Sequence, residues 1–334
     1  MRAVVVETPG GLDRLQLKDV PEPLPGPGEV VIEVYFAACN WSDIQRREGV
    51  YPTPVTYPTV LGLELSGRVV RVGPTVRGLK QGDRVAAITG PYMGGGFAEY
   101  CLVGAGYVIK LPDDVPLMLG TAFPVATLTS YHLLYSAHRI RKRENILIHA
   151  IGGAVGLMLT QLARNAGARV MGTVGSTGKG ARALAYGAER IVVRDHEDFV
   201  TAALDFTGGK GIDLVIDSLG GEVLERSFDA LRTYGHVINI GEAAGYPKFA
   251  IRPKLYERST SLAGFELHHA EPGSTRWRRG VRHVLEAMSA GCLEVPIEAV
   301  YPLEAVRDAQ AHLEARGVSG KLLLEVTQKE PRVG

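Results

Sequence analysis

Cysteine is scarce in this chain of 334 residues, which contains only Cys39, Cys101 and Cys292. They lie far apart and form no CxxC pair, which excludes a disulfide scaffold and a structural zinc site with four cysteine ligands. The opening residues, MRAVVVETPG, also lack the pattern of a secretory signal peptide. We therefore expect a reducing, cytoplasmic location.

The sequence also lacks an excess of positive or negative charge, and it lacks a long run of apolar residues. Lys and Arg number 37 against 36 Asp and Glu, so we expect no nucleic-acid partner. No apolar run approaches the ~20 residues of a membrane helix, so we expect no membrane insertion. Glycine, with 41 residues, and proline, with 19, are instead abundant and spread along the chain, which indicates many tight turns.

Two secondary-structure patterns divide the chain. Up to about residue 120, short apolar runs recur between glycines and prolines, as in a β-barrel or sandwich. They cover residues 30–37, 69–72, 84–88 and 97–103. From about residue 125, short β-branched runs alternate with helix-length amphipathic segments, which is typical of βαβ units around a buried parallel sheet.

The second pattern predicts strands over 146–149, 168–174, 191–193, 212–217 and 236–240. The predicted helices cover 127–137, 155–167, 179–187, 199–207 and 224–231. The tail adds helices over 278–290 and 303–315 and a strand over 321–326. This last strand could complete the sheet of the first part, which would make the βαβ block an insertion.

The strongest chemical signal is ILIHAIGGAVG at residues 146–156, where a predicted strand turns into a helix. Three small residues there match an A-x-x-G-x-x-G form of the dinucleotide fingerprint. Ala150 permits the tight turn, Gly153 lets the backbone approach a pyrophosphate, and Gly156 permits close helix packing. Backbone N–H groups at the helix start complete this predicted phosphate site, those of Gly152, Ala154 and Val155 included. The alternative is a glycine-rich turn with no ligand.

A missing acid indicates which nucleotide binds. NAD sites place Asp or Glu about 20 residues beyond the glycines, on the ribose hydroxyls, yet no acid lies between Gly156 and Glu189. Ser176 and Lys179 occupy that region, and Arg194 ends the next strand. A hydroxyl and two cations suit a 2′-phosphate, so we expect NADPH rather than NADH. Lys179 could equally be a solvated lysine at a helix start.

Seven segments, in matching order and spacing, resemble the zinc-free branch of the medium-chain dehydrogenase/reductase superfamily. They are AACNWSDIQRREGVYP (37–52), GLELSGRVVRVG (62–73), GDRVAA (82–87), GGFAEY (95–100), HAIGGAVG (149–156), DSLGG (217–221) and GKLLLEV (320–326). The resemblance spans nearly the whole chain. It is strongest to NADPH-dependent quinone oxidoreductases of the zeta-crystallin type, and enoyl-thioester reductases are similar around residues 40–52.

This resemblance implies an α/β fold with two domains and a homodimeric assembly. A GroES-like β-barrel catalytic domain would comprise residues 1–122 and 265–334, and a doubly wound Rossmann domain that binds NADPH would comprise residues 123–264. The family's nicotinamide-side residues map onto Asn40 and Thr129, and Gly241 matches a loop that borders the nicotinamide ribose. Lys321, in GKLLLEV, is also assigned to the cofactor site.

The family's 2′-phosphate contacts map onto Ser176, Lys179 and Arg194. Val193 stands where some quinone reductases carry a tyrosine. This departure leaves the grip on the phosphate mainly to Lys179 and Arg194.

The resemblance also indicates that the reaction uses no metal. Alcohol dehydrogenases of similar layout hold zinc through Cys, His and carboxylate ligands. Cys39 and Glu64 lie in the corresponding region, but Leu63 stands where those enzymes carry a histidine. We therefore expect Cys39 to be a small buried residue and the reaction to proceed without a Lewis acid.

Tyr51 and Asn40 are the candidates for chemistry at the hydride acceptor. When an enone or enoyl thioester is reduced, the enolate oxygen gains charge and the α-carbon needs a proton. Tyr51 matches the catalytic tyrosine of enoyl reductases, with an equal alternative that it only lines the site. Asn40 could bind the acceptor carbonyl or the nicotinamide environment, or it could cap a turn.

The neighbouring polar residues are expected to be structural. Asp43 would hold local backbone or cations, and Arg46 and Arg47 would form a solvated pair. The same expectation applies to four histidines, at positions 132, 149, 268 and 269.

Three functions stay open. The first is a zinc-independent, NADPH-dependent oxidoreductase that reduces a quinone or the activated C=C bond of an enone. The second is an enoyl-thioester or pathway-specific enone reductase with Tyr51 as proton donor. The third is a non-catalytic, crystallin-like NADPH-binding protein.

Overall fold

The computed structural model describes residues 1–90 and 94–327, so the last seven residues of the predicted catalytic domain, 328–334, lie outside the described residues. In chain order, the strands are β1 (Arg2–Val6), β2 (Gln16–Asp19), β3 (Glu29–Cys39), β4 (Thr59–Val60), β5 (Glu64–Val72), β6 (Arg84–Ile88), β7 (Tyr100–Gly104), β8 (Val108–Lys110), β9 (Asn145–Ile148), β10 (Arg169–Val174), β11 (Arg190–Val193), β12 (Ile212–Asp217), β13 (Leu231–Asn239), β14 (Ser261–Gly264), β15 (Ile297–Pro302) and β16 (Lys321–Glu325).

The α-helices lie between these strands. They are α1 (Trp41–Glu48), α2 (Leu117–Ala122), α3 (Pro124–His132), α4 (Ala154–Asn165), α5 (Ala181–Ala185), α6 (Phe199–Phe206), α7 (Gly221–Ser227), α8 (Ile251–Glu257), α9 (Thr275–Ser289) and α10 (Val306–Glu314). A π-helical turn continues α3 over Leu133–Ala137.

The chain forms two compact units. Unit 1 comprises Met1–Val125, Glu271–Leu285 and the chain from Val295 onward. Unit 2 comprises Ala126–Ala270 and Glu286–Glu294. A short piece of the tail therefore belongs with the βαβ block, whereas the sequence analysis placed the whole tail with the first part.

Unit 1 is built on a sheet in the order β15-β16-β3-β5-β6-β8, with β7 also paired to β3. All of its pairings are antiparallel except β15 with β16. The prediction that the tail strand completes this sheet is confirmed, because β16 pairs with β3. Val30, Ile32 and Val34 of β3 are fully buried in the core of the unit, with Phe97 and Leu324.

Helix α1 follows β3 directly, and its ends show why it begins and stops where it does. Asn40 is the N-cap residue, and its backbone N–H donates to Oδ2 of Asp43 at 2.8 Å. A carboxylate at the third helical position satisfies a backbone donor that the helix itself leaves unpaired. Gly49, at φ 75°, then ends the helix in the left-handed region that glycine adopts without strain.

Unit 2 contains the predicted parallel sheet, in the order β11-β10-β9-β12-β13-β14. Every neighbouring pair in it is parallel, which confirms the βαβ prediction. Leu147, Val215 and Val237 lie on one face and pack with Phe199 and Phe228 in a fully apolar cluster. Such strands are covered on both faces, which explains their continuous apolar runs.

One predicted segment of unit 2 is wrong. Residues 224–231 are not a single helix, because α7 ends at Ser227 and β13 already begins at Leu231. Tyr234, at φ 61°, and Gly235 interrupt the apolar pattern within β13. The sequence pattern therefore ended the predicted helix too late, at residue 231, and began the predicted strand too late, at residue 236.

The helices and the cysteines bear on two expectations, that the chain does not insert into a membrane and that it has no disulfide scaffold. Across residues 1–90 and 94–327, no helix combines the length and the apolar character that crossing a bilayer requires. The cysteines are unbonded thiols, with Cys39 and Cys101 buried and Cys292 exposed.

His149 is structural, as expected, and it fastens the end of β9 to its neighbours. Its ring nitrogens lie 2.9 Å from Oγ1 of Thr173 and 3.0 Å from Oγ of Ser227, and the ring meets Phe199 edge-on. Burial of the ring lowers its pKa from 6.5 to about 3, with a smaller contribution from the Arg194 charge. The folded protein therefore keeps this imidazole neutral.

This depressed pKa predicts an acid sensitivity. Because the unfolded chain binds the proton more readily, His149 favours folding fully above pH 6.5, and this contribution is lost as the pH falls towards 3. The loss should be about 1.4 kcal/mol per pH unit. Urea unfolding of the wild type and of His149→Asn between these limits measures the difference in slope. The exposed His196, changed to Asn, serves as the control, and parallel slopes for the wild type and His149→Asn would contradict the assignment.

Candidate active site

The turn between β9 and α4 has the form of a phosphate-binding loop. Ala150 adopts φ 51°, and Gly153 is the N-cap residue of α4. A Cβ at Gly152 would collide with the carbonyl of Lys179, and one at Gly156 would lie 2.5 Å from the carbonyl oxygen of Ile151. These two glycines are therefore required by packing within the protein.

Gly153 differs from these two glycines. A Cβ there would meet a single protein atom within 4 Å, the carbonyl oxygen of Ala150 at 3.4 Å. The open space lies at the N-terminus of α4, whose first N–H groups, including those of Ala154 and Val155, have no partner within the helix. The loop thus fits the close approach of an anionic group such as a pyrophosphate.

The predicted 2′-phosphate residues lie on segments that adjoin this loop. Lys179 is half-buried, and its backbone packs against Gly152. Ser176 is exposed in the turn after β10. Arg194 follows β11, and its Nη2 lies 3.3 Å from where a Cβ of Gly175 would stand, so the guanidinium covers the start of that turn.

A chain of hydrogen bonds through two hydroxyl groups and an imidazole holds the Arg194 guanidinium. Nη1 of Arg194 donates to Oγ1 of Thr173 at 3.2 Å, and this hydroxyl faces Nδ1 of His149 at 2.9 Å. The Ser227 hydroxyl donates to the carbonyl of Val223 at 2.7 Å, so it accepts from Nε2 of His149. Thr173 must then donate to Nδ1, which leaves its oxygen as the acceptor for Arg194.

The loops after β12 and β13 are organised by an acid that the sequence analysis did not single out. Asp217, fully buried, accepts hydrogen bonds from the N–H groups of Leu219 and Gly220, both at 3.0 Å. Asn239 donates to Asp217 at 2.9 Å and to the carbonyl of Gly241 at 3.0 Å. Burial raises the pKa of Asp217, and these hydrogen bonds oppose the rise. An acid at the last position of an apolar strand, at the start of DSLGG, was the available signal.

Thr129 lies in α3 and is 9% exposed. Its neighbour Ser130 donates to the carbonyl of Val155 at 3.1 Å, so this part of α3 packs against the start of α4. Thr129 is thereby brought near the phosphate-binding loop within unit 2.

In unit 1, the register of three strands brings together two predicted cofactor-site residues, Asn40 and Lys321, and the carboxylate of Glu64. Leu322 of β16 pairs with Cys39 of β3, so the preceding residue, Lys321, lies beside Asn40. Glu64 begins β5 and pairs with Ala38 of β3. The side chains of Asn40, Glu64 and Lys321 consequently meet at one end of three adjacent strands.

These three side chains form a buried polar cluster. Nζ of Lys321 donates to Oε1 of Glu64 and, at 2.7 Å, to Oδ1 of Asn40. Nδ2 of Asn40 donates to Oε1 of Glu64 at 3.0 Å, and the backbone N–H of Val125 donates to Oε2 at 2.7 Å. Glu64 is 0% and Lys321 3% exposed, whereas Asn40 is half-buried.

Asp43 lies beside this cluster and holds backbone, as expected. Its Oδ1 accepts from the N–H of Gly62 at 3.2 Å, and its Oδ2 accepts from Asn40. Burial raises the pKa of Asp43 to about 7, and the hydrogen bond from Asn40 opposes the rise.

The expectation that Arg46 and Arg47 form a solvated pair is wrong, since they are 4% and 1% exposed. Arg47 reaches Gln310 at 2.8 Å and Glu314 at 2.7 Å, both on α10. The guanidinium carbon of Arg46 lies 5.7 Å from the ring centre of Tyr51. Tyr51 itself is half-buried, in the loop after α1.

The donor set at Cys39, Leu63 and Glu64 does not fit a catalytic zinc. Cys39 is 3% exposed, and burial strongly raises its thiol pKa, so the thiolate that zinc requires is disfavoured. Leu63 offers no ligand atom, and both oxygens of Glu64 are occupied by Lys321, Asn40 and Val125. The buried ammonium of Lys321 lies against the Glu64 carboxylate, where a metal ion bound by that carboxylate would have to lie.

Two family models match the chain. The alcohol dehydrogenase GroES-like domain matches residues 26–113, and the zinc-binding dehydrogenase domain matches residues 154–286. With the antiparallel sheet of unit 1 and the parallel sheet of unit 2, these matches define the medium-chain dehydrogenase/reductase class, with its GroES-like and Rossmann domains.

Similar proteins and solved structures indicate which family within this class the chain belongs to. A probable quinone oxidoreductase of Schizosaccharomyces pombe is 31% identical, over 95% of this chain and 94% of its own length. A 2-haloacrylate reductase of a Burkholderia species is 29% identical, over 96% and 98%. The structure of Escherichia coli quinone oxidoreductase complexed with NADPH superposes with a TM-score of 0.93 at 28% identity, covering 98% of this chain and all of that one. The chain belongs to the quinone oxidoreductase family of the medium-chain dehydrogenase/reductase class.

This donor set predicts that turnover needs no bound zinc. We expect the purified protein to contain substoichiometric zinc and to keep its activity in phenanthroline. Glu266, His268 and His269 place three ligand atoms within 4.8 Å of one another and could bind added metal. His268→Ala/His269→Ala is therefore the matched control in the metal analysis. Stoichiometric zinc in this variant, with activity lost on chelation, would contradict the prediction.

Proposed function

We propose that this protein is an NADPH-dependent oxidoreductase that transfers a hydride to a quinone or to an activated C=C bond. The observation that carries the proposal is the arrangement around Gly153. The open loop backbone, Ser176, Lys179 and Arg194 offer N–H groups, a hydroxyl and two cations, and no acid stands where NAD sites carry one. NADPH supplies the hydride when bound, and the protein supplies orientation and charge.

The roles of the chain's own residues follow from this proposal. In unit 2, the loop of residues 150–156 binds the pyrophosphate, and Lys179 and Arg194 bind the 2′-phosphate with Ser176. Thr129 and the Gly241 loop border the nicotinamide end. In unit 1, Asn40 and Tyr51 serve the nicotinamide and the acceptor. The unbonded cysteines support a reducing, cytoplasmic location, and a homodimer is part of the proposal.

Cofactor preference tests the phosphate site. Lys179→Ala should weaken NADPH binding but not NADH binding, because only NADPH carries the 2′-phosphate. A charged hydrogen bond contributes about 1.5–3 kcal/mol, which corresponds to roughly 10- to 150-fold in Kd. Cofactor fluorescence measures both Kd values. Lys210→Ala, an exposed lysine of unit 2, is the matched control. Equal losses for both cofactors would refute the assigned site.

A second candidate function is reduction of an enoyl thioester or related alkene with Tyr51 as proton donor. The 2-haloacrylate reductase relative favours an activated C=C bond as acceptor. A quinone differs chemically, because hydride transfer gives a quinolate whose oxygen solvent can protonate, whereas the α-carbon of an alkene needs a positioned acid.

Acceptor assays with Tyr51→Phe separate these candidates. If Tyr51 donates the proton, the variant should lose about 10²- to 10⁴-fold in kcat with crotonyl thioesters or 2-haloacrylate. Its rate with phenanthrenequinone should change little. Tyr57→Phe, in the same loop, is the control for general disturbance. Equal, small effects on all acceptors would remove the proton-donor role, and NADPH binding without any turnover would favour the non-catalytic protein.

A further inference from the structure

Three side chains of the kind that bind metal ions lie close together near the end of unit 2. They are Glu266, His268 and His269, each of which offers one ligand atom, and these three atoms lie within 4.8 Å of one another. All three belong to unit 2, which runs to Ala270 at this point of the chain. None of them is assigned to the cofactor or to the polar cluster of unit 1.

The backbone of this segment holds the three side chains on one turn. The N–H of Phe265 donates to the carbonyl of Asn239 at 3.1 Å, which ties the start of the segment to the end of β13. A 3₁₀ turn covers Leu267–Ala270, and the N–H of His269 donates to the carbonyl of Glu266 at 3.2 Å. Residues three apart in such a turn lie one above the other, so Glu266 and His269 share a face.

The side chains already approach the spacing of metal ligands. Nδ1 of His268 lies 3.2 Å from Oε1 of Glu266, and the ring centres of His268 and His269 are 4.3 Å apart. A tetrahedral ion with bonds of about 2.1 Å holds its ligand atoms about 3.4 Å apart. Ligand atoms at most 4.8 Å apart therefore need to close by no more than about 1.4 Å, and rotation of the exposed His269 side chain covers such a distance.

The ligand types select the class of ion. Two imidazoles and one carboxylate suit Zn²⁺ and its neighbours Co²⁺, Ni²⁺ and Cu²⁺, whereas Ca²⁺ and Mg²⁺ prefer oxygen ligands alone. The side chains of His268 and Glu266 are 23% and 37% exposed, so water has access to complete the coordination. With three protein ligands and an open side, the ion exchanges with solvent, in keeping with the substoichiometric zinc expected after purification.

We propose that Glu266, His268 and His269 form an exchangeable binding site for a divalent transition-metal ion of the Zn²⁺ type. Each residue supplies one ligand atom, and water supplies the remainder. The two histidines then have a binding role, where the sequence indicated a structural one. The site does not depend on the proposed function, because it uses no residue assigned to NADPH or to the hydride acceptor.

Zinc titration of the metal-free protein tests the site. Calorimetry with zinc chloride should show one saturable site per chain, on untagged protein stripped with EDTA and free of NADPH, whose phosphates also bind metal. Glu266→Gln and His268→Ala should each weaken zinc binding by more than about tenfold, because a lost ligand costs at least as much as a lost outer-shell partner. His268→Ala/His269→Ala should abolish it. His196→Asn and Cys292→Ser change exposed groups of unit 2 outside the cluster, and these control variants should bind zinc like the wild type.

A second pair of measurements identifies the ligands in the folded protein. With one equivalent of Cu²⁺, electron paramagnetic resonance should show couplings to imidazole nitrogen in the wild type but not in His268→Ala/His269→Ala. Zinc should raise the melting temperature of the wild type and leave that of the double variant unchanged, because an ion bound only by the folded state stabilises it. Equal zinc affinity in the two folded proteins, or no saturable binding by the wild type, would overturn the inference. Either result leaves the proposed function standing, since NADPH binding is measured separately.

Discussion

A carboxylate that is fully removed from water needs compensation, and Glu64 is such a group in unit 1. Desolvation of an isolated charge costs several kcal/mol, and this is recovered only when a counter-ion and hydrogen-bond donors surround it. Lys321, Asn40 and the N–H of Val125 meet that need. Strands far apart in sequence must hold a fixed register for these groups to meet, so the polar end of the sheet depends on this one charge.

The partners of the Glu64 carboxylate also explain why this site does not offer the free ligands that a metal ion would need. A zinc ion beside a carboxylate and a cysteine would need those ligands deprotonated and unoccupied. In this chain an ammonium takes the place of the cation, and Cys39 is buried among apolar neighbours as a thiol. The fold of the class is therefore kept, while the carboxylate that could bind a metal is already occupied by protein donors.

Much of the architecture could be predicted from the sequence, because periodicity reports local burial. Strand β12 was predicted to the residue, and the continuous apolar runs of unit 2 correctly indicated a parallel sheet. The tight turn between β9 and α4 was predictable because small residues are required there by close approach, and the described backbone shows that requirement at Gly152 and Gly156.

The polar contacts could not be predicted in the same way. Lys321 and Glu64 are 257 residues apart, and only the pairing of β16 with β3 brings them together. Arg47 was expected in solvent because arginine usually lies there, yet two of its partners, Gln310 and Glu314, are on α10, more than 260 residues away. Local patterns describe which face of an element is apolar, but they do not reveal which distant group will compensate a buried charge.

The hydrogen-bonded chain that begins at Arg194 restricts which side chains position 194 can carry. Each link in it has a direction, from Arg194 through Thr173 and His149 to Ser227. An acid introduced at position 194 in place of the guanidinium would set oxygen against the lone pairs of Thr173. Reversing Thr173 would oblige His149 to change tautomer and Ser227 to rotate in turn. A change of charge at position 194 therefore reaches into the interior of the sheet, because an acid there is accommodated only when Thr173, His149 and Ser227 adjust together.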